Sequence, residues 1–300
     1  MKSKKKQAPE KRKLFSNKKL AILVIALVAV IVSGFLLFQF LLQTPKVEFS
    51  FKAAIIDQVG DGYPSSPSSA REFNETVTNL LEKANFTVSY HRSQSITVDF
   101  FKGLAKGNYG LIILRAHSAL REDETLVDFF TSEEFEEDNT YTDVTVAHYS
   151  WQPDTYYFAI TPKFIENLEG YFPKSIIIAM GCSSLKTDYE EMAEAFIKKG
   201  AKAYIGWTDS VGLPHSDNST IRFLQYFLVN NMTISQAINE CNKIHDPEFF
   251  PGKLSYYPSE IGDYKLSDFT AKTISSSLLL ATQKRLSWRK EKSHYFNIAA

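Results

Sequence analysis

The 300 residues carry 34 Lys and Arg against 34 Asp and Glu, and 44% are hydrophobic, which is ample material for a packed core. The zero net charge hides an asymmetry: nine of the basic residues and one acid, Glu10, fall in residues 1–19, so the rest of the chain is acidic. An acidic body argues against a nucleic-acid partner, and two cysteines exclude a disulfide framework.

Residues 1–19 read as a basic tail. Leu20 to Leu42, LAILVIALVAVIVSGFLLFQFLL, contains no charge. Its length suits a hydrocarbon core of ~30 Å with some tilt. A cleaved signal is the competing reading, but its apolar region is shorter and ends in small residues, whereas this one ends in bulky FLLFQFLL. The expectation is a single-pass membrane helix with the N-terminus cytoplasmic and the body outward, because the positive charges precede the span. Four N-x-S/T triplets, at Asn74, Asn85, Asn218 and Asn231, are compatible with an exported body and glycosylation.

After a linker over 43–46, VEFSFKAAIID reads as a strand closed by Asp57, and a Gly/Pro/Ser loop follows over 60–69. Phe73, Val77, Leu80, Leu81 and Ala84 make one face of a helix. FTVSYH is a strand, residues 97–106 a short amphipathic helix, and LIILRAH a nearly continuous apolar strand that delivers His117. The stretch from 118 to 160 is irregular, with nine acids between Glu122 and Asp138, and LVDFFT and YYFAI read as strands within it. Those acids read as a solvated loop; attraction of a basic substrate or a Ca²⁺ ion is the alternative. Thr161-Pro162 opens a helix. SIIIAMGC is a strand that delivers Cys182. Helices are expected over 188–199, 219–230 and 233–242, with a strand over 201–207.

Strands apolar on both faces, alternating with amphipathic helices, predict an α/β domain over 47–245 with a mostly parallel sheet covered on both sides. Residues 246–300 read as an extension with short β pieces and a basic end. In such sheets reactive groups gather at the carboxyl ends of strands. His117 and Cys182 both stand at such ends. If the strands are neighbours, a thiol and an imidazole meet at one rim: the thiol attacks carbonyl carbon and the imidazole protonates the leaving amine. A neighbouring imidazole also eases thiol ionisation. Gly181 permits a tight turn, and the amides of Cys182 and Ser183 are candidate oxyanion donors. The plainer alternatives are an inert core cysteine and a Cys182–Cys241 bridge, although Cys241 continues an apolar helix face. The remaining histidines show no metal spacing, and no zinc is expected. His148 is a candidate pocket wall.

A histidine ending one hydrophobic strand and a cysteine ending the next, followed by GCSSLKTDYEEMAEAFIKKGAKAYIGWTDSV, resembles the caspase–gingipain–clostripain–legumain group of cysteine peptidases, in its gingipain- and clostripain-like branch. The likeness covers about residues 50–245. It implies a caspase-like three-layer α/β/α sandwich, His117 as general acid/base, Cys182 as nucleophile, and a peptide or protein substrate. The group commonly has Gly after the histidine, where its amide joins the oxyanion hole; here that residue is Ser118. An acid selecting a basic substrate residue is also implied, with Asp57 and Asp209 as candidates and Trp207 as a pocket wall. No cofactor is implied. Transpeptidation to a second amine, a catalytically inactive scaffold of the same fold, and a thiol sensor remain alternatives.

Overall fold

The computed structural model describes residues 22, 25–35, 48–62, 64–248 and 250–271. The chain separates into two units, residues 1–47 and 48–300. In the first, residues 25–35 are helical with exposed apolar side chains. Among the described residues no helix is long and apolar enough to cross a membrane. The basic tail, the basic C-terminal end and residues 20, 21, 23, 24 and 36–42 of the apolar span lie outside the described residues.

The second unit is mixed α/β. Its main sheet has six strands: β1 (Lys52–Asp57), β2 (Thr87–Arg92), β3 (Leu111–Arg115), β8 (Ile176–Ala179), β9 (Ala203–Trp207) and β10 (Leu254–Tyr257). Their order is β10-β9-β8-β3-β1-β2, parallel throughout except for β10. The segment expected as an extension from 246 thus supplies the antiparallel edge strand.

Strand residues alternate between two cores, as the pleat requires. Ala53, Ile55, Leu111, Ile113, Ile176 and Ile178 face a cluster with helices α1 (Pro67–Lys83), α5 (Leu213–Leu224) and α6 (Ile234–Cys241). Ala54, Ile56, Ile112, Leu114, Ile177 and Ala179 face α2 (Val98–Leu104), α3 (Pro162–Asn167) and α4 (Glu191–Lys198). Side-chain oxygens cap the helices: Ser66, Thr97, Thr161 and Thr233 accept from the amides of Ser69, Phe100, Phe164 and Gln236. A π-helical turn, Gln225–Val229, continues α5, and α7 (Leu266–Thr270) closes the described chain.

The stretch expected to be irregular forms a second, antiparallel sheet: β4 (Ser118–Leu120), β5 (Val127–Glu134), β6 (Val144–Tyr149) and β7 (Gln152–Ile160), in the order β4-β5-β7-β6. The acids inside it are partly built in. Arg121 pairs with Asp128, and Glu133 accepts from the amide of Val98 and from Tyr141.

The site follows from the strand order. β1 connects outward to β2 through α1 on one face, and β3 leads toward the other face. β3 lies between β1 and β8 and runs parallel to both, so the loops after these three strands leave the sheet side by side at one carboxyl edge.

Candidate active site

Strand β3 is buried along its length and ends on Arg115, whose side chain is also fully buried. A guanidinium out of water needs paired acceptors. Arg115 Nη1 donates to Asp57 Oδ1 at 2.7 Å, while Nε and Nη2 donate to the two oxygens of Asp217 at 2.8 Å each. Tyr90 donates its hydroxyl to Asp57 Oδ2 at 2.8 Å. Burial alone would lower the Arg115 pKa, but Asp217 and Asp57 outweigh it and keep the group charged.

Two residues on, the amide of His117 donates to Gln58 Oε1 at 3.0 Å, and its carbonyl accepts from Phe130 at 2.9 Å. Gln58 is itself fixed, donating to Tyr149 Oη at 2.8 Å. The imidazole lies among Phe130, Tyr149 and Trp151, with ring centroids 4.9, 5.2 and 5.5 Å away. An imidazolium in that setting loses its hydration, so burial lowers the His117 pKa to about 4.

Strand β8 pairs with β3 in parallel, Leu114 opposite Ala179, and Met180 donates to the carbonyl of Leu114 at 2.9 Å. The chain then turns through Gly181. A Cβ there would sit 2.2 Å from Ser118 Oγ and 2.6 Å from the carbonyl oxygen of Ala116, so the close approach of the two loops requires glycine. Ser118 Oγ donates to the carbonyl of Cys182 at 2.7 Å. Ser184 fastens the far side of the turn, donating to the carbonyl of Ala179 and accepting from the amide of Trp207, both at 3.0 Å.

Cys182 Sγ lies 3.5 Å from both the amide nitrogen and the carbonyl oxygen of Val211. Burial raises the thiol pKa, and the amides of Val211 and Cys182 itself only partly oppose this. At neutral pH the pair is therefore a neutral thiol and a neutral imidazole. The eased ionisation expected of a thiol near an imidazole is absent, because the base is itself desolvated and uncharged.

His117 and Cys182 line one cavity of about 330 Å³, at the low end of ligand-pocket sizes (roughly 300–1,000 Å³). Its walls include Val59, Trp151, Met180, Val211 and Leu213, with Arg115 also at its surface.

The other sequence candidates fall elsewhere. Asp57 is fully buried and neutralised by Arg115, so the expectation that it selects a basic substrate residue is corrected. Trp207 is 1% exposed and donates its indole N–H to Ser216, which makes it core rather than pocket wall. Asp209 accepts from the amide of Ser210 and pairs with Lys186 at 3.5 Å. None of these three is among the described residues lining the cavity. Ser118 is fully buried behind Gly181, so its role there is to tether the Cys182 turn. The amide of Ser183 donates to the carbonyl of Asp209 at 3.0 Å and is not free for an oxyanion. His148 lines a separate cavity with Arg121 and Asp128. Both cysteines are free thiols. Among the described residues no group of three or more His, Cys, Asp or Glu side chains is placed to hold a metal ion.

Sequence reasoning missed Gln58, the Tyr149–Trp151 wall and the Arg115–Asp217 pair. Only Arg115 gave a signal, as a charge ending an otherwise apolar strand.

No protein-family profile matches the chain, and no curated protein matches it. Among solved structures, that of the Arg-specific cysteine proteinase gingipain R is similar over 67% of this chain, at 11% identity and a TM-score of 0.45. The chain covers 44% of that gingipain chain.

Proposed function

We propose that the chain is a cysteine peptidase of the caspase-like group, with Cys182 as nucleophile and His117 as proton carrier. One observation carries this reading. A thiol and an imidazole, far apart in the chain, line the same cavity at the carboxyl edge of two hydrogen-bonded parallel strands.

The neutral pair sets the order of events. Sγ attacks the peptide carbonyl carbon as the thiol proton passes to the imidazole, so charge is created only with the S–C bond. The amide of Cys182 is the candidate donor to the oxyanion. The C–N bond breaks as the imidazolium protonates the leaving amine. Water then adds to the thioester and yields a proton to His117, and the C–S bond breaks to restore the thiol. The substrate on this reading is a peptide or protein. The apolar run 20–42 is proposed as a single-pass anchor that keeps residues 1–19 cytoplasmic and the domain outside; resistance of the full chain to alkaline carbonate extraction tests it.

A peptidyl acyloxymethyl ketone tests the chemistry. Its thioether adduct is expected on Cys182 and not on Cys241, with peptide cleavage lost in step. His117→Ala is expected to suppress labelling. A scaffold protein would show neither cleavage nor any dependence of labelling on His117. A transpeptidase would release the acyl group to an added amine in preference to water.

A further inference from the structure

We infer that the cavity beside Cys182 takes an uncharged, apolar side chain on the acyl side of the bond to be cut, and rejects lysine, arginine and glutamate there. This rests on Cys182 being the nucleophile, since the acyl-side side chain is then among the substrate groups nearest the sulfur.

The acids close to the cavity are already used. Both oxygens of Asp217 accept from Arg115. Asp57 gives one oxygen to Arg115 and the other to Tyr90. Both oxygens of Asp246 accept backbone amides, from Gly212 at 2.7 Å and Glu248 at 2.9 Å. Arg115 is the one member of this network among the described lining residues, and its side chain is fully buried. A substrate cation would find no open carboxylate oxygen in this network. A buried cation without a partner is strongly disfavoured.

A substrate carboxylate fares no better. Four of the five N–H groups of Arg115 already donate, three to Asp57 and Asp217 and one from Nη2 to Ser65 Oγ at 3.1 Å. Two aspartates against one guanidinium leave no positive excess for a third anion.

Glu248 is the one acid among the described lining residues, and it is solvent-exposed, so water and salt screen it. Val59, Ala116, Trp151, Met180, Val211 and Leu213 make an apolar part of the wall, and Ser150 and Ser210 add uncharged polar groups. Such a wall rewards burial of hydrocarbon.

Three acyloxymethyl ketone probes that differ only in the acyl-side residue (leucine, lysine or glutamate) test this on the full chain. The expected result is labelling of Cys182 by the leucine probe about tenfold or more faster than by either charged probe. A lysine or glutamate probe that labels as fast or faster overturns the inference and leaves Cys182 as nucleophile intact. Failure of all three to label Cys182 overturns the peptidase reading and this inference with it. Leu213→Asp supplies a second arm. It places an unpaired acid in the wall at the first turn of α5, where helix polarity tolerates it. It is expected to raise the lysine-to-leucine rate ratio about tenfold, and an unchanged ratio counts against the assigned subsite.

Discussion

Ser118 donates its hydroxyl hydrogen to the carbonyl of Cys182 at 2.7 Å, so the residue after the candidate base holds the residue that carries the candidate nucleophile. The bond crosses between the loops that follow β3 and β8, and it ties them together beside the cavity that His117 and Cys182 line. Ser118→Ala leaves that carbonyl unpaired. The expected cost is about 1 kcal/mol of stability, read by denaturant unfolding, together with slower labelling of Cys182.

Gly181 is constrained by space and not by a left-handed backbone, since it is absent from the positive-φ glycines. Gly181→Ala would press a methyl group on Ser118 and on the backbone of Ala116. Neither can move without disturbing β3. A loss of about 1–3 kcal/mol is expected, and the thermal unfolding midpoint measures it.

Arg115→Ala strands Asp57 and Asp217 in a buried site. The expected loss is about 3–5 kcal/mol. Arg115→Lys restores a charge but not the planar fork that spans both oxygens of Asp217, so it is expected to lie between the variant and the native chain. Equilibrium unfolding of the three proteins in parallel checks the order.

The lowered pKa of His117 links folding to pH. The unfolded chain takes up the proton near the ordinary 6.5, the folded chain only near about 4. The contribution of the neutral buried imidazole is complete above 6.5. It is lost progressively as pH falls toward 4, for a total of about 3 kcal/mol. The difference in stability between the native chain and His117→Phe, followed from pH 7 to pH 4, is expected to show this slope. For the same reason the acid limb of cleavage by the free enzyme is expected near 4 and not near 6.5.

Much of the main sheet was legible because its strands are apolar on both faces, and IIIA and LIILR say so without help from the rest of the chain. The same property exposed His117 and Cys182, each the first reactive group after such a run. The second sheet was legible only in part: LVDFFT and YYFAI mark portions of β5 and β7, while β4 and β6 gave no signal. Much of β6 and the first residues of β7 are half-buried or exposed and polar, so no period survives in QPDT or VTVAH to mark a strand. Two helix starts were placed too late. Ser66-Pro67 falls in the expected 60–69 loop, and Gly212-Leu213-Pro214 lies ahead of the helix expected from 219, although proline in the first turn is itself a start signal. The late start of α5 hid Asp217, and with it the partner of Arg115. Gln58 and Trp151 could not be found locally, because their roles depend on contacts that only the tertiary fold creates.

Cooperation between His117 and Cys182 is the central claim, and a double-variant cycle on peptide cleavage tests it most directly. An unbiased peptide library, read by mass spectrometry, is treated with the native full chain, His117→Ala, Cys182→Ala and the double variant. The expected result is cleavage by the native chain, loss of about 1,000-fold or more in each single variant, and no further loss in the double. Cleavage that survives either single substitution, or losses that multiply in the double variant, would contradict the account.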